Sequence, residues 1–174
     1  MAANPEIIES PLTEEGLAAR YRELCASPLL SNLPGKIELD LWGRILMSPA
    51  SNYHGVLQIR LGQRLEQLGG QAIAEASVVT SIGLLVADVA WANNEFMGAH
   101  GTETPYTLAP ELCIEIASPS NSMKELTEKV AAYLAAGAIE AWVVYPQSRR
   151  VAFFAQSREL ERSGYAVDLT AMFD

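Results

Sequence analysis

Residues 111–122 read "ELCIEIASPSNS", and one carboxylate in that stretch decides how the chain is to be understood. Leu112, Cys113, Ile114 and Ile116 form a short apolar run suited to a buried strand, and Glu115 stands inside it. An unpaired charge is costly in such a place, so Glu115 needs a partner or a ligand. The run stops at the turn Ser118-Pro119-Ser120. Ser122-x-x-Glu125 then has the pattern of a capping box, opening a helix through Ala136 that Gly137 closes. A helix returning over the strand it has just left can carry a cation back to Glu115.

Outward from there, "IEAWVVYP" (139–146) and "RRVAFFAQ" (149–156) read as strands joined at Pro146-Gln147-Ser148, with a short tail beyond. Upstream, "QAIAEASVVTS" (71–81) and "GLLVADVAWAN" (83–93) are β-rich on either side of a glycine break. Residues 92–109 form a long Gly, Asn, Thr and Pro loop, long enough to suggest function or mobility. Residues 51–70 predict a helix capped by Ser51 or Asn52 and stopped by Gly69-Gly70. His54, Leu57, Leu61, Leu65 and Leu68 share one of its faces, and Glu66 projects roughly opposite. "KIELDLWGRILMS" (36–48) reads as a hairpin turning at Trp42-Gly43 and ended by Pro49. Residues 13–27 have helix composition, with a Leu17, Tyr21, Leu24 stripe. The expected class is α/β or α+β: a central mixed sheet covered on both faces by helices, with an N-terminal helix and hairpin.

The 174 residues suit one domain spanning 1–174, large enough for a real core. Nearly half the residues are apolar and 19% are charged, which is ordinary globular composition. Cys25 and Cys113 lie far apart without metal-ligand spacing and read as reduced thiols. No run approaches the roughly 18 apolar residues of a membrane span. The start, "MAANPEIIES", is acidic and lacks a basic n-region, so a soluble cytoplasmic protein is expected. Twelve basic residues against twenty-one acidic ones, a formal charge of −9, argue against a tight autonomous DNA binder. A local basic patch remains open through Arg149, Arg150, Arg158 and Arg162.

Three charged residues stand where packing alone would not put them. Asp88 lies in "LLVADVAW", Glu115 in "LCIEIAS", and Lys129 at the edge of the buried stripe Leu126, Val130, Tyr133 and Leu134. Two strand carboxylates meeting at one point would make a hard oxygen site suited to Mg²⁺ or Mn²⁺. Such an ion polarises a phosphodiester and acidifies a bound water, and a lysine beside it can stabilise developing charge. The same residues also allow a plain structural ion pair, and spacing does not choose.

The order of signals resembles the Uma-two family, a restriction-endonuclease-like branch of the PD-(D/E)xK nuclease superfamily. The matching segments are "IELDLWGRILMSP" with "YH", "VADVAW", "EIASPS", "EKVAAYLAAGAIEAWVVYP" and "RRVAFF", covering about residues 36–154. The resemblance implies a restriction-endonuclease-like fold and a metal-dependent endonuclease acting on DNA. It implies Asp88 and Glu115 as ligands of Mg²⁺ or Mn²⁺, Lys129 as catalytic lysine, nucleic acid as partner, and a homodimer. Two positions depart from the pattern. Ala117 stands where the superfamily lysine falls, and Ala87 where the family has proline.

Glu38 and His54 match further family positions. Glu38 either reaches the metal or caps the hairpin; His54 is either functional or a hydrogen-bonded core residue. Glu66, pointing away from the leucine stripe, is set aside. Trp42, Trp91 and Trp142 read as core or interface aromatics, His100 as solvated, and Glu75 as an ordinary exposed acid at a strand end. Asp40 and Asp168 have no evident partner. The alternative to an enzyme is a non-catalytic binding or scaffolding protein on the same fold, for which the acid cluster is structural.

Overall fold

A computed structural model describes residues 10–30, 36–48, 50–156 and 158–174. The hairpin stop expected at Pro49 and the N-terminal nine residues lie outside that set. The elements are α1 (Glu14–Ala26), β1 (Lys36–Asp40), β2 (Ile45–Ser48), α2 (Asn52–Leu65), β3 (Gln71–Thr80), β4 (Gly83–Ala92), α3 (Asn94–His100), β5 (Leu112–Ile116), α4 (Met123–Ala135), β6 (Glu140–Tyr145), β7 (Arg150–Ala155) and β8 (Arg158–Leu160). The eight strands form one sheet ordered β2-β1-β4-β5-β6-β7-β8, with β3 also paired to β4. β5 and β6 run parallel and the other pairs are antiparallel, so the sheet is mixed, as expected. A parallel pair needs a long crossover, and α4 provides it.

The two faces of the sheet are covered by different helices. α2 lays Leu57, Leu61 and Leu65 against Val89, Ile114 and Trp142, joined by Met172 near the C-terminus. α4 lays Leu126, Val130 and Tyr133 against Ala87, Cys113 and Val143 on the other side. α1 closes a third cluster with Leu17 and Leu24 on Leu39, Val79 and Leu84. α1 starts at Thr13, whose hydroxyl accepts from the Gly16 N–H, and α4 starts at a complete Ser122–Glu125 capping box.

β4 sets the position of the cleft. One of its edges pairs with β3 along its length, from Gly83 opposite Thr80 to Ala92 opposite Gln71. The other edge is shared: β1 takes Gly83 and Leu84, and β5 takes Val89 to Trp91. Between them Val86 has no strand partner on that edge among the described residues, and side chains of β1 replace the ladder. Glu38 accepts from the Val86 N–H at 3.0 Å, and Lys36 donates to the Val86 carbonyl at 2.8 Å. Gly83 is required at the entry. Its φ is +131°, and a Cβ there would lie 2.2 Å from the Leu39 carbonyl oxygen.

The β3–β4 ladder breaks once. Ala74 faces Val89 and Ala76 faces Ala87 in unbroken register, which leaves Glu75 and Asp88 opposite one another without a ladder pairing. Glu75 has φ +52°, uncommon for a residue with a side chain. Side-chain alternation changes face here: Leu85 and Ala87 pack under α4, whereas Val89 and Trp91 pack under α2. The irregularity re-aims Asp88, as local breaks in strands do near functional sites.

Several expectations change. Residues 94–100 are helical, capped by Asn93, and Tyr106 is tied to β3 by backbone bonds with Ser77 and Val79, so the expected loop is largely pinned. Trp91 and Trp142 are buried, but Trp42 lies exposed at the hairpin under Arg44. His100 contacts Glu103 at 2.9 Å and packs on Phe96, so it is not freely solvated. Asp40 does have partners, the Arg44 side chain and the Trp42 and Arg44 N–H groups. Asp168 accepts from the Thr170 N–H. Glu75 is exposed, but it stands mid-strand and not at a strand end.

Candidate active site

Asp88, Glu115, Lys129, Glu38 and His54 converge on the gap between β1 and β5, joined there by Lys36 and Tyr133. The three carboxylates are buried, with Glu38 at 5%, Asp88 at 2% and Glu115 at 4% exposure. Each has one oxygen held by a neutral donor. Asp88 Oδ2 accepts from the Ile116 N–H at 2.7 Å, and Glu115 Oε1 accepts from the Tyr133 hydroxyl at 2.7 Å. The other oxygens of Asp88 and Glu115 face a common point. Lys36 Nζ stands there, 2.8 Å from Asp88 Oδ1 and 3.4 Å from Glu115 Oε2. His54 Nε2 lies 3.2 Å from the same Asp88 Oδ1.

Lys129 reaches the cluster from α4. Its ammonium donates to both oxygens of Glu38, at 2.7 and 2.9 Å, and lies 3.5 Å from Glu115 Oε2. Glu38 anchors Lys129 and the β4 backbone, and its Oε1 also lies 3.8 Å from the Lys36 ammonium. His54, one turn before Leu57 on the sheet-facing side of α2, meets Asp88. Glu66 is exposed and apart from the cluster.

Electrostatics follow from this crowding. Burial works against a charged Asp88, but the His54 hydrogen bond and the Lys36 charge outweigh it, and its pKa falls to about 2. Burial pushes the Glu115 carboxyl up; Lys36 and Lys129 pull it back, while Asp88 and Glu38 add to the rise. Burial also opposes the Lys36 charge, but Glu115, Asp88 and Glu38 overcome it and raise its pKa. Burial, and then the Glu115 charge, hold the Tyr133 phenol protonated.

The cluster opens onto a cavity of about 50 Å³ lined by Lys36, Glu75, Asp88, Glu115 and Lys129. A larger groove of about 630 Å³ adjoins it, sharing Ala50, His54, Ile116, Ser118 and Asn121. Two fixed carboxylates, a lysine and an adjacent groove are parts that phosphoryl chemistry uses.

Residues 18–171 match the Uma2 family, described as "Putative restriction endonuclease". The chain belongs to the Uma2 family. A solved structure described as "a putative nuclease belonging to DUF820" from Anabaena variabilis is similar, at 18% identity and a TM-score of 0.64. The match covers 86% of this chain and 83% of that one and establishes the fold. No curated protein matches the chain.

The Uma2 chain carries features at this site that its sequence did not make obvious. Lys36 lies two residues before Glu38, on the same side of an alternating strand, so that spacing could have found it. Tyr133 follows Lys129 by one helical turn, and its place in the apolar stripe gives no sign of the hydroxyl's bond to Glu115. Glu75 lines the cavity because of the ladder break, which no local pattern announces. Of the late arginines, Arg149 pairs with Asp174 and Arg150 with Glu159. Among the described residues no helix is long and apolar enough to cross a membrane.

Proposed function

We propose that this Uma2 protein is a metal-dependent endonuclease that hydrolyses phosphodiester bonds in DNA. The observation that carries the reading is the convergence of Asp88 Oδ1 and Glu115 Oε2 on one point, with Lys129 3.5 Å from Glu115. A cationic nitrogen already stands at that point, so the oxygens are set to hold positive charge. Among the described residues no group of three or more Asp, Glu, His or Cys is arranged around a metal position. The reading rests on two carboxylates, and Mg²⁺ keeps waters and phosphate oxygens in its shell and takes one or two protein carboxylates.

Asp88 and Glu115 would hold the ion. When bound, it supplies phosphate polarisation and a more acidic water. The chain's own groups do the rest. Tyr133 and the Ile116 N–H fix the carboxylates, so that one oxygen of each stays aimed at the cleft. Lys129, oriented by Glu38, presents positive charge where negative charge builds up on the phosphate oxygens. His54 steadies Asp88. DNA approaches along the groove beside the cluster, and the enzyme works as a homodimer, so two copies of one small domain cut both strands.

The test is plasmid nicking with Mg²⁺ or Mn²⁺. Asp88→Ala and Glu115→Ala each lower the rate at least about a hundredfold, and Lys129→Ala does the same. Equal rates in wild type and variants would remove the reading.

A second reading is a scaffold whose acid cluster is structural. The observation favouring it is that the three acids are already matched by two lysines and a tyrosine, and no buried side-chain polar atom among the described residues lacks a partner. Calorimetric titration with Mn²⁺ separates the two readings. Binding that is lost in Glu115→Ala favours the nuclease.

A further inference from the structure

The chain has three lysines against nine arginines, and two of the three, Lys36 and Lys129, meet at one acid cluster. Lys129 is committed to Glu38. Lys36 spends its donors on Asp88 Oδ1, the Val86 carbonyl and the side of Glu115 Oε2. These are the two carboxylate oxygens assigned above to a divalent ion. An ammonium at 2.8 Å from Asp88 and an ion at metal–oxygen distance from the same atoms cannot coexist, both for space and for charge.

Lys36 has somewhere to go. It lines the acid cavity on one side and, on the other, a separate cavity of about 200 Å³ walled by Tyr21, Leu24, Cys25 and Glu75. Glu75 lines both cavities. Its backbone is held at φ +52° opposite Asp88, a costly conformation, at a position that borders both cavities. A four-carbon stem with a compact charge is the side chain able to make such a move.

We propose that Lys36 is a resident cation of the acid pair: its ammonium holds Asp88 and Glu115 together without a divalent ion, and withdraws to Glu75 when one binds. The inference rests on the reading of Asp88 and Glu115 as metal ligands. It gives the two readings of the cluster a common basis, since the same ion-pair network is the metal-free state of the site.

The test is Mn²⁺ calorimetry with thermal melts on wild type, Lys36→Met, Glu75→Gln and Glu115→Gln. Lys36→Met binds Mn²⁺ at least about tenfold more tightly than wild type, melts lower without metal, and gains more from Mn²⁺. Glu75→Gln binds Mn²⁺ about threefold to tenfold more weakly, because the displaced ammonium loses its receiving carboxylate. In wild type, amine labelling read by mass spectrometry rises at Lys36 on adding Mn²⁺, with the exposed Lys124 as internal reference. Unchanged labelling, or equal affinity in wild type and Lys36→Met, overturns the displacement while leaving the metal site standing, provided Glu115→Gln has lost binding. Unchanged affinity in Glu75→Gln overturns the receiving role. Absence of Mn²⁺ binding in both wild type and Lys36→Met at millimolar metal overturns the metal reading and this inference with it.

Discussion

Asp88 and Glu115 sit a few ångströms from the same ammonium, yet acid acts on them in opposite directions. Asp88 is lowered to about 2, from an ordinary value of 3.8, so its contribution to stability is present above pH 3.8 and lost as pH falls towards 2. Glu115 is raised, so its contribution is present while it is protonated, below about 4.5, and declines as pH rises through its shifted value. Urea unfolding of wild type and Asp88→Asn should therefore show a free-energy difference that shrinks by about 2 kcal/mol between pH 5 and pH 2. A difference independent of pH would refute the pairing. Glu115→Gln should gain on wild type as pH rises from 4.5. The site acids were legible because a charge inside an apolar strand is costly wherever it occurs, but that signal is not specific. Glu140 is also a buried strand carboxylate, and its partners are neutral or backbone donors: Trp142, Ser163 and the Gly164 N–H. What distinguishes Glu115 is the arrival of two lysines from β1 and α4, a tertiary fact. Lys36 carries no such signal, because a lysine opening a strand is ordinary.

At the scale of elements, the site depends on two devices, the shared edge of β4 and the return of α4. α4 begins at Ser122, whose hydroxyl accepts from the Glu125 N–H while Glu125 Oε2 accepts from the Ser122 N–H. This box lies about one to two turns before Lys129 and fixes where the helix starts above β5. Ser122→Ala should cost about 1 kcal/mol and lower Tm by about 2–4 °C, measured by calorimetric or circular-dichroism melts. Equal melting of wild type and variant would show that tertiary packing alone sets the helix start. The capping box, the leucine stripe of α2 and the apolar strands were legible, since each has a local cause. α3 was not, because seven residues with Asn, Gly and His carry too little periodicity. The split edge of β4 and the Glu75–Asp88 break were not legible either. Register belongs to a pair of strands, and neither strand alone encodes where its partner departs.

For the whole molecule, the formal charge of −9 and the pairing of Arg149 and Arg150 leave little long-range attraction for DNA. None of the described residues lining the 630 Å³ groove is Lys or Arg. Binding by such a surface gains from joining two copies, and β2 is where the proposed dimer has support. Among the described residues β2 pairs only with β1, and its other edge leaves backbone groups open. Its side chains Ile45, Leu46 and Met47 are 37%, 49% and 40% exposed, on both faces of the strand. An apolar edge of this kind invites another strand, and antiparallel pairing of β2 with its own copy would continue the sheet through a two-fold axis. Leu46→Lys places a charge at the middle of that edge and removes nothing from the described core, so the variant should keep its circular-dichroism spectrum and Tm. Light scattering after size exclusion should then find wild type as a dimer at tens of micromolar and Leu46→Lys as a monomer. In plasmid assays the monomer should still nick one strand, while linearised product falls sharply relative to nicked circle. A wild-type chain that is monomeric at those concentrations, or a variant that stays dimeric, would place the interface elsewhere or remove it.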